Sequence, residues 1–369
     1  MRKQTQRGLM LMGMAVLLFL LAACGGTPVG NPAQTGGDGV ATTDENPGTI
    51  DGRPAEVKLT LGAYTTPREA YGEIIPLFQA QWKEQTGQDV VFEESYLGSG
   101  AQSRAVVEGF EADIVALSLE ADVNRISDAG LITHDWKGTQ YQGMVSDSIV
   151  VLAVREGNPK NIQDWADLAQ ADLEILTPDP ATSGGAQWNV MAAYGAATRG
   201  NVVGFDGSTQ GGEDFIKALF TNVTVLDKSA RDSITNFESG VGDVAITYEN
   251  EVLVGRQAGQ PYEYIIPTST ILIENPAALV DTYVDKHGTR EVAEAFLDFL
   301  VTPDVQRIFG KYGLRPVDPA VAAEVSADYP PVTDLFTIQE FGGWSNVTQP
   351  FFGEEGVYTR IIAEVQSGQ

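Results

Sequence analysis

Four short stretches of this chain set small, polar and helix-capping residues where an apolar strand gives way to a helix. They are "YTTPRE" at 64–69, "LGSGAQS" at 97–103, "TSGGAQW" at 182–188 and "DKSARDS" at 227–233. At such a junction the first backbone N–H groups of the helix have no intrahelical partner. The helix dipole adds about +0.5 charge at the same place. In the third stretch, Gly184 and Gly185 stand where the helix begins, so bare amides can approach a ligand closely. The chemistry this implies is anion capture by the main chain. Three such ends converging supply roughly +1.5, close to the charge of a dianion, without any Lys or Arg in contact.

That reading has to survive the overall charge. The chain has 23 Lys+Arg against 50 Asp+Glu, a net charge of -27. Surface charge is largely screened beyond ~8 Å at physiological salt, whereas aimed N–H groups act at contact distance. The same acidity excludes nucleic acid, whose binding rests on neutralising phosphates with Lys and Arg. It also excludes adsorption to anionic lipid through a basic patch.

Other chemistries find no support. No G-x-x-x-x-G-K-[ST] occurs, and "GSGAQS" fails the dinucleotide fingerprint. Ser183 resembles a nucleophile, but "TSGGA" is not a G-x-S-x-G elbow and no base adjoins it. His134 and His287, the only histidines, lie far apart and read as surface or capping residues. Cys24 is the only cysteine, so neither a thiolate metal site nor an intrachain disulfide is available. No catalytic constellation, metal site or cofactor is expected.

The elements that must position these loops follow an N-terminal preamble. Arg2, Lys3 and Arg7 precede an uncharged apolar run to Ala23, the pattern of a cleaved secretory signal over residues 1–23. Its end, Leu21-Ala22-Ala23-Cys24, resembles the lipobox of bacterial lipoproteins, which implies lipidation of Cys24 and an extracytoplasmic protein held at the membrane. Residues 24–55 are rich in Gly, Pro, Thr and Asp and read as a flexible tether. The remaining chain, about 310 residues, exceeds one compact core and predicts two lobes.

Within it, apolar strands alternate with helices. "EVKLTLGAY", "DVVFEESY", "ADIVALSL", "SIVVLAV", "LEILTP", "VTVLD" and "DVAITYE" read as strands. Each leads into a loop or helix, which predicts α/β layers with mainly parallel sheets and ligands outside the carboxyl ends of the strands. Thr66, Pro67 and Glu69 predict a capping box at the start of the first helix. Thr302 and Pro303 predict the start of "TPDVQRIFGKYG".

From about Val57 to Ile361 the chain resembles the sulfate-binding proteins of bacterial sulfate/thiosulfate ABC transporters. The resemblance is carried by "YTTPRE", "YLGSGAQS", "EADIVALSLEADVNRI", "TPDPATSGGAQWN", "GDVAITYENE" and "FTIQEFGGW", in the family's order. It implies a two-lobe periplasmic-binding-protein-like fold, with crossover hinge strands and a ligand cleft between lobes. Lobe I would be residues 56–146 and 272–369, and lobe II residues 147–271. Carried over by position, the donors to a dehydrated dianion are the amides of Thr65, Ser99, Gly184, Gly185 and Ala230, with the hydroxyl of Ser183. Tyr248 stands where the best-known members have Trp and offers a hydroxyl instead. Arg68 and Arg231 follow two of the loops as bracing residues.

The implied protein is a monomeric receptor that hands sulfate to a permease, with thiosulfate, molybdate or another oxyanion as the alternative. An exported ester hydrolase and a ligand sensor are the readings of another class. Asp227 and Glu249 adjoin two of the loops and are the carboxylates able to bring an acceptor into a site made of donors.

Overall fold

A computed structural model describes residues 49–368, apart from residue 51. The signal, Cys24 and most of the tether lie outside the described residues. The last residues assigned to the tether pair into a short antiparallel hairpin, β1 (Thr49–Ile50) with β2 (Arg53–Pro54).

The chain then runs β3 (Glu56–Tyr64), α1 (Arg68–Thr86), β4 (Asp89–Leu97), α2 (Ser99–Val107), β5 (Ile114–Ala116) and α3 (Glu120–Asp128). A long strand, β6 (Met144–Val154), leads to β7 (Ile175–Pro178), α4 (Gly184–Thr198), α5 (Thr209–Thr221), β8 (Val223–Asp227) and α6 (Ala230–Glu238). Next come β9 (Val244–Tyr248), α7 (Glu249–Gln257), β10 (Glu263–Ile265) and a second long strand, β11 (Ser269–Leu279). The C-terminal region holds α8 (Asp281–His287), α9 (Arg290–Leu300), α10 (Pro303–Lys311), α11 (Pro319–Glu324), β12 (Asp334–Phe336), α12 (Trp344–Phe352) and α13 (Val357–Ser367).

The main sheet has the order β4-β3-β5-β11-β6-β9-β7-β8. Its two ends, β4-β3-β5 and β9-β7-β8, are each parallel. The two long strands join them. Along β6, residues up to Ile149 pair with β11, and Val150 to Val154 pair with β9. Along β11, Leu272 to Pro276 pair with β6, and Ala277 to Leu279 pair with β5. One strand carries the chain from the first half to the second and the other carries it back, so they lie antiparallel to each other and to β5 and β9, while β12 pairs parallel with the start of β11. These are the crossover strands the sequence leads one to expect.

Each half has its own core. In the first, Tyr71, Ile74, Phe78 and Trp82 of α1 recur at helical spacing and pack on Phe296, Phe299 and Phe309 of α9 and α10. In the second, α4 is almost wholly buried, with Trp188 and Met191 at its centre and the polar Gln187 and Asn189 hydrogen-bonded within. The C-terminal segment divides between the two. Trp344, Val347, Phe351, Tyr358 and Ile361 join the core of the second half, not that of residues 56–146. This departs from the expected assignment of all of 272–369 to the first lobe. The aromatic faces of α12 and α13 find their burial against α4 and α5, where Trp344 meets Trp188 edge-on with centroids 4.7 Å apart.

Two helix starts also differ from expectation. Helix α1 begins at Arg68 after Pro67, with no side-chain cap. Thr66 is buried with its hydroxyl unpartnered, and Glu69 turns to Arg231 at 2.8 Å. A charge-assisted pair outweighs one cap bond. At α10, Pro303 does open the helix, but the Thr302 hydroxyl donates to the carbonyl of Phe299 instead of capping.

The crossover strands place two carboxylates face to face, Asp147 of β6 opposite Glu274 of β11. Burial, and then the charge of Glu274, push the Asp147 carboxyl up to about 7, against a lowering pull from Arg315. The folded state therefore keeps a proton that the unfolded chain releases near its ordinary value of about 4. Stability falls as pH rises from there to about 7, and stays low above. Asp147→Asn is expected to raise the Tm at pH 8 more than at pH 5. An equal shift at both values would show that the pair does not titrate in this range.

Candidate anion-binding site

The four loops singled out above leave the carboxyl ends of β3, β4, β7 and β8, where open α/β sheets bind ligands. Tyr64 ends β3 and is followed by Thr65, and Gly98 leads from β4 into α2. Ser183 is the N-cap of α4 and Ser229 the N-cap of α6, each accepting from an amide of the first turn. Tyr248 ends β9 and precedes α7.

Side-chain absence is a packing requirement at Gly98 and Gly184, and a Cβ at Gly185 would be tight. A Cβ on Gly98 would lie 2.6 Å from the carbonyls of both Thr182 and Lys228. One on Gly184 would lie 2.8 Å from Ser118 Oγ and from Leu119 Cγ. One on Gly185 would meet Tyr248 Cε1 at 3.2 Å, Ser183 Oγ at 3.4 Å and Ala230 Cβ at 3.5 Å. The α2, α4 and α6 N-termini thus come together. The loops also bond directly: the Ala101 amide donates to Thr182 O at 3.1 Å, and Thr182 Oγ1 donates to Lys228 O at 2.9 Å.

Five backbone amides in this cluster, those of Thr65, Ser99, Gly184, Gly185 and Ala230, find no acceptor among the described residues. Ser99, Gly184, Gly185 and Ala230 are buried, and Thr65 is partly so. Buried main-chain donors are almost always satisfied, so a convergent set without an internal acceptor is a candidate site for an external one. The Ser183 hydroxyl accepts from the Ala186 amide over a long 3.4 Å, and its proton remains free to donate.

Tyr248 is fully buried, and its hydroxyl lies 2.6 Å from Ser118 Oγ. Burial raises its acidity threshold well above the ordinary tyrosine value, so it keeps its proton. Ser118 is the residue the sequence reading missed. Its amide donates to Ser99 Oγ at 3.0 Å, and its carbonyl accepts from Trp188 Nε1 at 2.8 Å. Ser99 Oγ in turn donates to Asp122 Oδ2 at 2.6 Å, which leaves only the Ser99 amide for a ligand. The available signal was a lone serine directly after the apolar run "IVAL", at the carboxyl end of a buried strand.

The two arginines differ. Arg231 bonds Glu251 Oε2 at 2.7 Å and Glu69 Oε2 at 2.8 Å, tying α6 and α7 to the start of α1. Arg68 instead lies over the Tyr96 ring, 5.1 Å from its centroid. Of the two carboxylates beside the loops, Glu249 is held by Arg315 at 2.7 and 3.0 Å. Asp227 accepts from Asn236 through Oδ1 at 2.6 Å, while its Oδ2 has no partner. Both histidines serve structure: His134 pairs with Asp281, and His287 bridges Asp113 and Glu111. Among the described residues no cluster of His, Cys, Asp and Glu could hold a metal ion.

A family model described as bacterial extracellular solute-binding protein matches residues 59–315. A sulfate-binding protein of Synechococcus elongatus is 43% identical over 93% of this chain and 92% of its own length. A thiosulfate-binding protein of Escherichia coli stands further off, 34% identical over 85% of this chain and 94% of its own. Among solved structures, the sulfate-binding protein SubI from Mycobacterium tuberculosis superposes with a TM-score of 0.73 at 38% identity. That match covers 79% of this chain and 98% of SubI.

Tyr248→Phe tests whether the hydroxyl pair reaches the ligand. Losing one donor to a buried charged group costs about 1.5–3 kcal/mol, roughly ten- to a hundredfold in oxyanion affinity by calorimetry. An unchanged Kd would mean that the hydroxyl is spent wholly on Ser118.

Proposed function

This chain belongs to the bacterial extracellular solute-binding proteins, and from that premise we propose that it captures sulfate outside the cytoplasm and delivers it to the permease of an ABC transporter. The observation that carries the reading is the set of five amides without an internal acceptor, gathered with the hydroxyls of Ser183 and Tyr248. Three helix N-termini add their dipoles, so a dianion can be held without a cation in contact. The proposed lobes are residues 56–146 with 272 to about 333, and residues 147–271 with the C-terminal helices. Binding at their junction draws them together, and the protein works as a monomer. Thiosulfate is the second reading. It is favoured by the departure at Tyr248, where a hydroxyl replaces an indole N–H, and disfavoured by the greater distance of the thiosulfate-binding relatives.

Selectivity follows from protons. Sulfate carries none at neutral pH, so every partner it meets should donate. Hydrogen phosphate brings a proton that needs an acceptor, and Arg315 already occupies Glu249. Facing donors, that proton loses a bond and leaves an unsatisfied buried group, about 1–3 kcal/mol. Competition calorimetry with an oxyanion panel is expected to rank sulfate above phosphate by tenfold or more. Phosphate binding as tightly as sulfate would mean that an acceptor, Asp227 first, faces the ligand.

The anchor is proposed as a lipid on Cys24, with the segment to about residue 48 as a tether. Cys24→Ala should release the protein from membranes and leave the sulfate Kd unchanged. A variant that still sediments with membranes after a salt wash would point to another anchor.

A further inference from the structure

The distribution of unpaired positive charge in this acidic chain is not even. Among the described residues, every lysine but Lys228 has an acidic partner within 4.0 Å. Four arginines lack one. Arg155 spends its guanidinium on the carbonyls of Phe237, Val241 and Gly242, and Arg256 lies over the ring of Tyr264. The other two are Arg68, stacked on Tyr96, and Arg104, whose side chain makes no hydrogen bond, ion pair or ring contact.

Of the five cations without an acidic partner, Arg68, Arg104 and Lys228 line the clefts beside the candidate site, and Arg155 and Arg256 line neither. Arg68 and Lys228 line a cleft of ≈ 390 Å³ that also contains Thr65, Thr182 and Ser229. Arg104 lines a larger one of ≈ 570 Å³, beside Asp179, Pro180 and Ala181. Its Nη1 lies 3.5 Å from the Cβ position of Gly100, one residue beyond the Ser99 amide. Lys228 is two residues before Ala230, with its side chain in solvent. The only carboxylates lining the two clefts are Asp232 and Asp179. Asp232 accepts from Ser229 Oγ at 2.9 Å, and Asp179 accepts from the Ala181 amide at 2.9 Å. Among the residues lining the two clefts, cations outnumber carboxylates, the reverse of the chain as a whole.

We propose that Arg68, Arg104 and Lys228 form an electrostatic entrance, which draws inorganic dianions to the cleft and does not touch them once bound. The inference rests on the oxyanion reading above. A chain with net charge -27 repels a dianion at long range. Within a Debye length of ~8 Å, unpaired local charges set the potential, because paired ones cancel. Cations so placed raise the encounter rate, and the amides set the residence time.

The test is stopped-flow fluorescence with sulfate, at low and high sodium chloride, on the full chain. Arg104→Gln/Lys228→Gln is compared with Lys58→Gln/Lys83→Gln. The second pair makes the same change in net charge at the opposite end of β3 and on the far end of α1. The entrance variant is expected to lose about tenfold in kon at low salt, with koff unchanged and the loss vanishing at high salt. The control should keep the wild-type kon. Equal kon in the two double variants would overturn the entrance, as would a loss confined to koff. Wild-type protein that gives no sulfate-dependent heat in calorimetry would overturn the oxyanion reading itself, and the entrance with it.

Discussion

The structure depends on one constraint: backbone N–H groups at helix starts must be buried without being satisfied by their own chain. Such groups are costly to leave bare, and the fold is arranged so that the cost falls where an anion can relieve it. Strands β4, β7 and β8, from the two parallel ends of the sheet, each lead into a helix whose first amides are left unbonded. Serine caps at positions 183 and 229 absorb one amide each and leave the neighbouring ones free. Because the donors are fixed by helix geometry, they need no reorganisation when the ligand arrives.

That arrangement only works if the two halves of the sheet meet. The crossover strands β6 and β11 connect them, and the loops close the gap from the other side. Two of the side-chain contacts that do this differ in kind. Ser118, from the β5 end, meets Tyr248 from the β9 end and is held by Trp188 of α4. Arg231 of α6 reaches Glu69 of α1 while keeping Glu251. One is a neutral hydroxyl pair in the buried interior, the other a charged clasp nearer the rim. The clasp is partly exposed only at its Glu69 end, while Glu251 at the other end is buried and paired with Arg231.

Much of this was legible in the sequence because its signals are local. Glycine and serine at strand ends, and apolar runs that start and stop abruptly, report on the residues that carry them. What was not legible is what depends on distant partners. Nothing in "TTPRE" reveals that Glu69 has an arginine 162 positions away to prefer over a helix amide. Ser118 draws its importance from Ser99, Trp188 and Tyr248, none of which is its neighbour in sequence. The C-terminal helices show amphipathic periodicity, which says that one face will be buried but not against which core. Trp344 and Tyr358 settled on α4 and α5 because the aromatic groove there accepts them.

The glycines at 98, 184 and 185 have a consequence for how this molecule can vary. A binding site made of side chains can be retuned by exchanging one functional group for another, and each exchange leaves a record in composition. A site made of main-chain amides has no such handle. The same N–H is present whatever residue other than proline occupies the position, so the ligand's chemistry is otherwise insensitive to identity and sensitive to volume. At Gly184, with 2.8 Å to the nearest neighbours of any Cβ, that volume is already spent. In the proposed site, variation in ligand preference would thereby be channelled to the side chains proposed to face the anion, Ser183 and Tyr248, while the amides around them stay fixed.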